Sequence, residues 1–144
     1  MGKRMTNRMF FEDLSVGQTA SLAKTITEAD ILLYSAVSMD TNPIHLDADF
    51  ARESQFGERI AHGMLAASLI SAVLGTRLPG PGAIYMRQSL RFAAPVKIGQ
   101  TVKATVEVVS LNAEKQRATL RTICAVGDEL VIEGEAYIQV PSRG

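Results

Sequence analysis

The segment from His62 to Leu74 constrains the fold more than any other part of the chain. It contains no Lys, Arg, Asp or Glu, and alanine and serine fill most positions between its large apolar residues, Met64, Leu65, Leu69, Ile70, Val73 and Leu74. A helix that is apolar on nearly all sides is a buried one, and its small residues allow a sheet to approach closely. Gly75 is expected to end this helix, and the following Pro79-Gly80-Pro81-Gly82 forces a sharp break.

The second half of the chain is rich in strand-like segments. Thr101 to Val108 alternates between apolar and polar residues, which is typical of a half-buried antiparallel strand. Similar segments occur at 19–25, 83–92, 117–126 and 130–140. We therefore predict an α+β domain in which a curved antiparallel sheet of about five strands wraps around one buried central helix.

A second landmark is the run Asp40-Thr41-Asn42-Pro43-Ile44-His45. Pro43 has no backbone N–H and disfavours helical geometry at the preceding residue, so we predict an irregular loop here rather than a helix. A helix capped by Thr27 should precede the loop, bury Ile31, Leu32 and Tyr34, and end before Asp40. A short helix should follow at 47–52.

This loop brings together groups that can exchange protons. A carboxylate, an amide and an imidazole lie within six residues, and histidine has an ordinary pKa near 6.5, which suits general acid–base catalysis at neutral pH. Taken alone, an Asp and a His five residues apart are more often part of a solvated turn than catalytic. The rest of the chain must decide between these interpretations.

Composition narrows the class of protein. The 144 residues predict one globular domain over 10–141 behind a disordered tail at 1–9. Fifteen basic and fifteen acidic residues balance, so no nucleic acid or membrane partner is expected. The single Cys124 suits a reducing compartment, and no apolar run reaches the roughly 18 residues of a membrane span, which favours the cytoplasm. Two histidines and one cysteine fall short of a zinc site.

Several segments of the chain, listed below in chain order, resemble the MaoC-like dehydratase family, which includes the (R)-specific enoyl-CoA hydratases and has a single hotdog fold. The resemblance extends from about Phe11 to Pro141, and one departure is Met39, where many members have Gly before the Asp. The matching segments are Asp40 to Asp47, His62 to Leu65, Leu78 to Gly82 leading into Gln88 to Phe92, and Gly134 to Ala136.

The resemblance implies an enzyme, a hydro-lyase that reversibly adds water to trans-2-enoyl-CoA to give (R)-3-hydroxyacyl-CoA. Asp40 and His45 would perform the two proton transfers, with the division between them left open. The Asn42 amide would position the water or His45, and the Gly63 backbone N–H would stabilise the thioester oxygen. Ser71 would support the site. No cofactor or metal is expected, because coenzyme A is part of the substrate.

Simpler roles remain possible for several of these residues. Gly63 can be a close-packing residue only, and Ser71 can be a core serine bonded to its own helix. We expect His62 to cap or orient the helix start rather than take part in the chemistry. Asp47 and Asp49 are expected to supply negative charge at the start of the short helix.

Other functions fit the same residues. A dehydratase acting on acyl carrier protein or on a specialised CoA thioester would use the same Asp40 and His45. A hotdog thioesterase or a non-catalytic acyl-thioester-binding subunit is less favoured, because the chain keeps both residues. Open sheet edges also predict a homodimer or higher homo-oligomer. Acyl chain length, carrier and physiological direction are left open by the sequence.

Overall fold

The computed structural model describes residues 8–144. Of the predicted tail, residues 1–7 lie outside the described part, and the Met9 N–H donates to the Pro79 carbonyl at 3.3 Å. A short 3-10 helix at Phe11–Asp13 comes first. It is followed by β1 (Thr19–Thr25), α1 (Glu28–Ser38), α2 (Pro43–Leu46), α3 (Ala48–Arg52), α4 (Gly63–Thr76), β2 (Ile84–Gln88), β3 (Arg91–Phe92), β4 (Thr101–Asn112), β5 (Arg117–Val126) and β6 (Glu129–Gln139).

The strands form one antiparallel sheet in the order β1-β4-β5-β6-β2, with β3 also paired to β6. The predicted α+β fold, a curved antiparallel sheet around a central helix, is confirmed. One predicted strand, over 83–92, is divided into β2 and β3. Ser89 separates them, where its N–H donates to the Glu135 carbonyl and its Oγ accepts the Glu135 N–H.

The inner face of the sheet forms a continuous core with α4. On β4 and β5, buried residues alternate with outward-facing ones, as an antiparallel sheet with one covered face requires. The small Ala66 and Ala67 allow α4 to lie close, so that the Cys124 Sγ is 3.6 Å from the Ala66 carbonyl. Burial raises the pKa of the Cys124 thiol to about 12.

The central helix differs from its prediction in two respects. It is not buried on all sides, because one face, with Met64, Ser68 and Ser71, is exposed in this chain. Gly75 does not end it either, since α4 continues to Thr76 and the Arg77 N–H donates to the Val73 carbonyl. Within residues 8–144, none of the helices combines the length and apolar character needed to cross a bilayer.

The shorter helices also depart from the sequence prediction in places. α1 begins at the predicted Thr27 cap, but Leu32 is exposed and Ser35 is buried in its place. The segment predicted as an irregular loop contains α2, four residues long. Pro43 occupies the first position of α2, where a missing N–H removes no helical hydrogen bond and the fixed φ angle suits the helix.

The divided strand generates a prediction about Gly134. A Cβ at this position would lie 1.8 Å from the backbone carbonyl oxygen of Ser89, which cannot move without shifting a strand. We expect Gly134→Ala to lower the free energy of unfolding by about 3 kcal/mol or more and the Tm by roughly 10 °C. Thermal unfolding followed by circular dichroism measures this. Glu135→Ala, at the exposed next position, is the control, and equal Tm values for both variants would contradict the prediction.

Candidate active site

The turn after α1 has an uncommon backbone conformation. Met39 ends the helix with φ 65° and ψ 11°, in the left-handed region. This conformation costs a residue with a side chain about 1–2 kcal/mol, and glycine adopts it freely. The turn is held by two further bonds, from the Asp40 N–H to Ser38 Oγ at 3.1 Å and from the Asn42 N–H to Asp40 Oδ1 at 3.2 Å. Met39 therefore has the backbone angles that glycine favours, although it carries a side chain.

Asn42 positions the helix that carries His45. Its Oδ1 accepts the Ile44 N–H at 3.1 Å and so caps α2. Such a cap satisfies one of the free N–H groups at a helix start. The oxygen of its amide is therefore used in the cap. The predicted orienting role of Asn42 toward water or His45 stays a prediction.

The hydrogen bonds of His45 define its tautomer. Its Nδ1 lies 2.8 Å from the Ile60 carbonyl, and a carbonyl only accepts, so Nδ1 carries the proton. In the neutral ring, Nε2 then keeps its lone pair. The Arg59 Nε donates to the His45 carbonyl at 2.7 Å, and its Nη2 donates to Glu28 at 2.9 Å. These bonds fix both the ring and the backbone of a residue that is only 7% exposed.

His62 makes contacts that the sequence did not predict. Its Nε2 lies 3.0 Å from the Asp40 carbonyl and 3.0 Å from the Ser35 Oγ. Its ring stacks on that of His45, with centroids 3.9 Å apart, and meets the Tyr34 ring edge-on at 4.7 Å. His62 is the N-cap residue of α4, but its side chain makes no cap hydrogen bond, so of the two predicted roles, capping or orienting the helix start, side-chain capping is absent.

Burial changes the acid–base properties of His62. The side chain is 1% exposed, and its Nδ1 has no hydrogen-bond partner among the described residues. Desolvation is the main cause that lowers the pKa of His62, and the nearby His45 lowers it further, against the opposing effects of the Asp40 carbonyl and carboxylate. Burial therefore favours the neutral form of the His62 ring.

Asp40, His45 and His62 form one compact cluster. Each offers one potential ligand atom, and these atoms lie within 4.8 Å of one another. The His45 Nδ1 and the His62 Nε2 each bond to a backbone carbonyl. The groups of the cluster that remain for proton transfer are the Asp40 carboxylate and the His45 Nε2. The expectation that no metal or cofactor is used stays a prediction.

A pocket of about 460 Å³ opens beside the cluster. Asp40, His62 and Gly63 contribute to its wall, whereas His45 does not line it directly. The other lining residues are mostly apolar: Phe56, Ile60, Ala61, Met64, Ala66, Phe92, Ala93, Ala94, Pro95, Val96 and Ile132. A polar cluster at one end of an apolar pocket is the common form of a small-molecule site.

Gly63 is the first residue of α4 and faces this pocket. A Cβ on it would lie 2.6 Å from the Phe92 ring, so glycine leaves room between the helix start and that ring. Its N–H has no acceptor among residues 8–144, as expected for the first turn of a helix. Both the packing role and the predicted oxyanion role are compatible with this geometry, and the latter stays a prediction.

Ser71 lies apart from the other predicted site residues. It is exposed on α4 and does not line the pocket. Eight residues separate it from Gly63, which is about 12 Å along a helix. Its supporting role stays a prediction.

From the sequence, Arg59 is one of several cations that can meet the phosphates of a coenzyme A tail or lie solvated on the surface. In the structure its guanidinium donates to the His45 carbonyl and to Glu28 instead. Another residue near the cluster, Ser35, was missed by the sequence prediction. Ser35 had one usable signal, because it lies one helical turn after the buried Ile31 and is therefore a polar residue on the buried face of α1.

Comparison with known proteins identifies close relatives. A family model described as MaoC like domain matches residues 14–129. An (R)-specific enoyl-CoA hydratase of Rhodospirillum rubrum is 62% identical over 94% of both chains. A 3-hydroxybutyryl-CoA dehydratase of Methylorubrum extorquens is 53% identical over 94% of this chain and 86% of that protein. The unliganded R-hydratase PhaJ1 of Pseudomonas aeruginosa matches with a TM-score of 0.89 and 45% identity, over 94% of this chain and 88% of that one.

The cap on α2 can be tested by substitution at Asn42. Asn42→Ala removes the acceptor for the Ile44 N–H, and we expect the free energy of unfolding to fall by about 1 kcal/mol. Asn42→Asp keeps an acceptor oxygen and should unfold close to the wild type. Urea denaturation of the three proteins measures the difference. If both variants lost the same stability, the capping role of Asn42 would be refuted.

Proposed function

Because the chain belongs to the MaoC-like dehydratase family, we propose that it is an (R)-specific enoyl-CoA hydratase. It adds water reversibly to trans-2-enoyl-CoA to form (R)-3-hydroxyacyl-CoA. Relatives of this name align over nearly the whole chain, and the fold matches a hydratase structure. The observation that carries the proposal is the Asp40 and His45 pair beside an apolar pocket that begins at a helix N-terminus.

The proton transfers are assigned to Asp40 and His45 acting as a pair. A water held by the pair loses a proton as its oxygen attacks C3 of the enoyl thioester. The neutral His45 has a lone pair on Nε2 for proton uptake, since its Nδ1–H is engaged by the Ile60 carbonyl. The pair then returns a proton to C2 from the same side, so it ends the reaction in its starting protonation state.

The start of α4 suits the negative charge that forms during this reaction. Addition at C3 places charge on the thioester oxygen until C2 is protonated. The Gly63 N–H lies at the helix start, where backbone dipoles favour an anion. Gly63 lines the same pocket as Asp40. A donor of this kind typically stabilises a transition state by about 3–4 kcal/mol. Apolar lining residues such as Ile132 and Pro95 suit the acyl chain.

The same site fits a dehydratase that runs in the opposite direction. The 3-hydroxybutyryl-CoA dehydratase among the relatives supports this, as the two names describe one reversible reaction. Coenzyme A enters as part of the substrate, so no separate cofactor is proposed. An acyl-carrier-protein substrate remains the alternative to CoA. The lone buried thiol of Cys124 supports a reducing compartment, and we propose the cytoplasm.

The reaction can be tested with crotonyl-CoA. We expect loss of the conjugated enoyl thioester absorbance and formation of the (R)-3-hydroxy product, identified by chiral chromatography. Asp40→Asn and His45→Gln should each lower kcat by about 10²–10⁴-fold, the usual contribution of general acid–base catalysis. Asn42→Asp keeps the α2 cap but replaces the amide by a carboxylate, so its kcat tests separately whether the amide contributes to the reaction.

Folding of each variant is checked through Cys124. Its buried thiol should react with iodoacetamide slowly in every folded variant and quickly after denaturation. Release of free coenzyme A thiol from crotonyl-CoA would support a thioesterase instead. Hydration only of acyl-carrier-protein substrates would assign the alternative carrier.

We infer that β2 is the contact between two copies of this chain. β1 and β2 form the two edges of the sheet, and unpaired edges invite strand pairing. Each edge carries one charged residue, Lys24 on β1 and Arg87 on β2. β1 packs Leu22 on the core, whereas β2 exposes three consecutive apolar side chains, Ile84, Tyr85 and Met86. An edge with exposed apolar side chains gains more from being covered, so β2 is the edge that we assign to a homodimer.

A charge on β2 should therefore weaken self-association. We expect the wild type to sediment as a dimer, and Met86→Asp to shift the equilibrium toward monomer at least about tenfold, from burial of an unpaired carboxylate. Sedimentation equilibrium measures both. Val16→Asp is the control, because Val16 is also apolar and exposed but lies before β1. A monomeric wild type, or a dimer unaffected by Met86→Asp, would refute the β2 contact.

A further inference from the structure

We propose that His62 is a positioning residue, which holds Asp40 and His45 in their reactive arrangement as a neutral imidazole with its proton on Nε2. Its kinetic consequences rest on the hydratase function proposed above, whereas its tautomer does not. The sequence predicts that this histidine caps or orients the helix start, and the structure shows it at the N-cap position without a side-chain cap bond.

His62 is not placed to exchange protons with a substrate. Its Nε2 is engaged by the Asp40 carbonyl and the Ser35 Oγ, both at 3.0 Å. Its Nδ1 is buried. Although the ring lines the pocket, neither nitrogen is available to a water there. His62 therefore acts through the groups that it contacts.

The bond to Asp40 anchors the turn that carries the carboxylate. Because a carbonyl only accepts, Nε2 must carry the proton in this contact. The same N–H reaches Ser35 on α1, so His62 ties the turn both to the helix before it and to the start of α4. Met39 adopts an unfavourable conformation in this turn, and a buried hydrogen bond next to it opposes relaxation of the backbone.

The stacked ring restrains His45. The two imidazoles lie 3.9 Å apart with an angle of 27° between their planes, so His45 cannot rotate toward His62 without a clash. Together with the Ile60 carbonyl on Nδ1, this contact fixes the direction of Nε2. Loss of either restraint would leave the His45 ring free to rotate and so change the direction of its Nε2.

Neutrality of His62 also matters for the reaction. The groups that face it are His45 on α2, Asp40 in the turn and the Tyr34 ring on α1. When His45 takes a proton from water, a second positive charge on the stacked ring would oppose the uptake. A neutral His62 removes this repulsion, and burial, which lowers the pKa of His62, favours that neutral form.

The tautomer can be measured directly, because the chain has only two histidines. Long-range ¹H–¹⁵N correlation spectra of ¹⁵N-labelled protein distinguish the two tautomers and the charged ring. A His62→Gln sample assigns the signals. We expect the Nε2–H tautomer for His62 and the Nδ1–H tautomer for His45, with His62 still neutral at about pH 6, below the ordinary histidine pKa. An Nδ1–H tautomer or a charged His62 at that pH would overturn the proposal.

Kinetics of two variants separate positioning from bulk. His62→Phe keeps a stacking ring but lacks the N–H, and we expect kcat to fall about 10²-fold, the scale of a misplaced catalytic group. KM should change less than about threefold, since substrate contacts remain. His62→Gln supplies an N–H donor for the Asp40 carbonyl but has no ring to stack on His45, so it should recover part of that loss. Val108→Ala, in the β4 core away from the cluster, controls for lost stability.

Three kinetic outcomes would overturn the proposal: an unimpaired His62→Phe, a His62→Gln as impaired as His62→Phe, or an equal loss in Val108→Ala. If the wild type hydrates no enoyl thioester, the proposed function fails. The spectra would then still decide the tautomer and charge of His62.

Discussion

Ala66 and Ala67 let α4 lie so close to the sheet that the Cys124 thiol reaches a carbonyl of the helix. This close packing places the helix start beside the pocket, whose wall includes His62 and Gly63. Larger side chains at the two alanines would lift the helix and move both residues together. The geometry of the site therefore depends on two methyl-sized side chains that carry no chemistry of their own.

Around this fixed helix start, the reactive groups are held mainly through backbone atoms. Carbonyls of Asp40, His45 and Ile60 accept bonds from His62, Arg59 and His45 respectively. A carbonyl is present whatever the side chain, so these hydrogen bonds leave the side chains of Asp40 and His45 free for other contacts. The side chains that donate are the ones that cannot be exchanged freely.

The sequence allowed prediction of the features that local patterns determine. Alternation in β4, the uncharged α4 segment and the Thr27 cap all correspond to elements of the fold. Asp40 and His45 were predicted to lie close together because they are only five positions apart in the sequence.

Features that depend on distant contacts were missed or wrong. The bond from His62 to Asp40 spans 22 residues, and that to Ser35 spans 27. The break after β2 depends on how closely Ser89 approaches Gly134 across the sheet. Pro43 fits both a loop and a first helical turn, and only tertiary contacts choose between them. Leu32 was predicted to be buried, but it is exposed. The spacing of apolar residues indicates which side chains share a helix face, but not whether another element covers that face.

The left-handed Met39 also bears on how proteins of this kind can be recognised. Its side chain is 84% exposed and makes no demand on its surroundings, yet its backbone has the angles that glycine would adopt. Ahead of Asp40, the turn thus has the dihedral angles that glycine favours without having the residue itself. A search pattern that requires glycine there would discard this chain, whereas one written in backbone geometry would retain it.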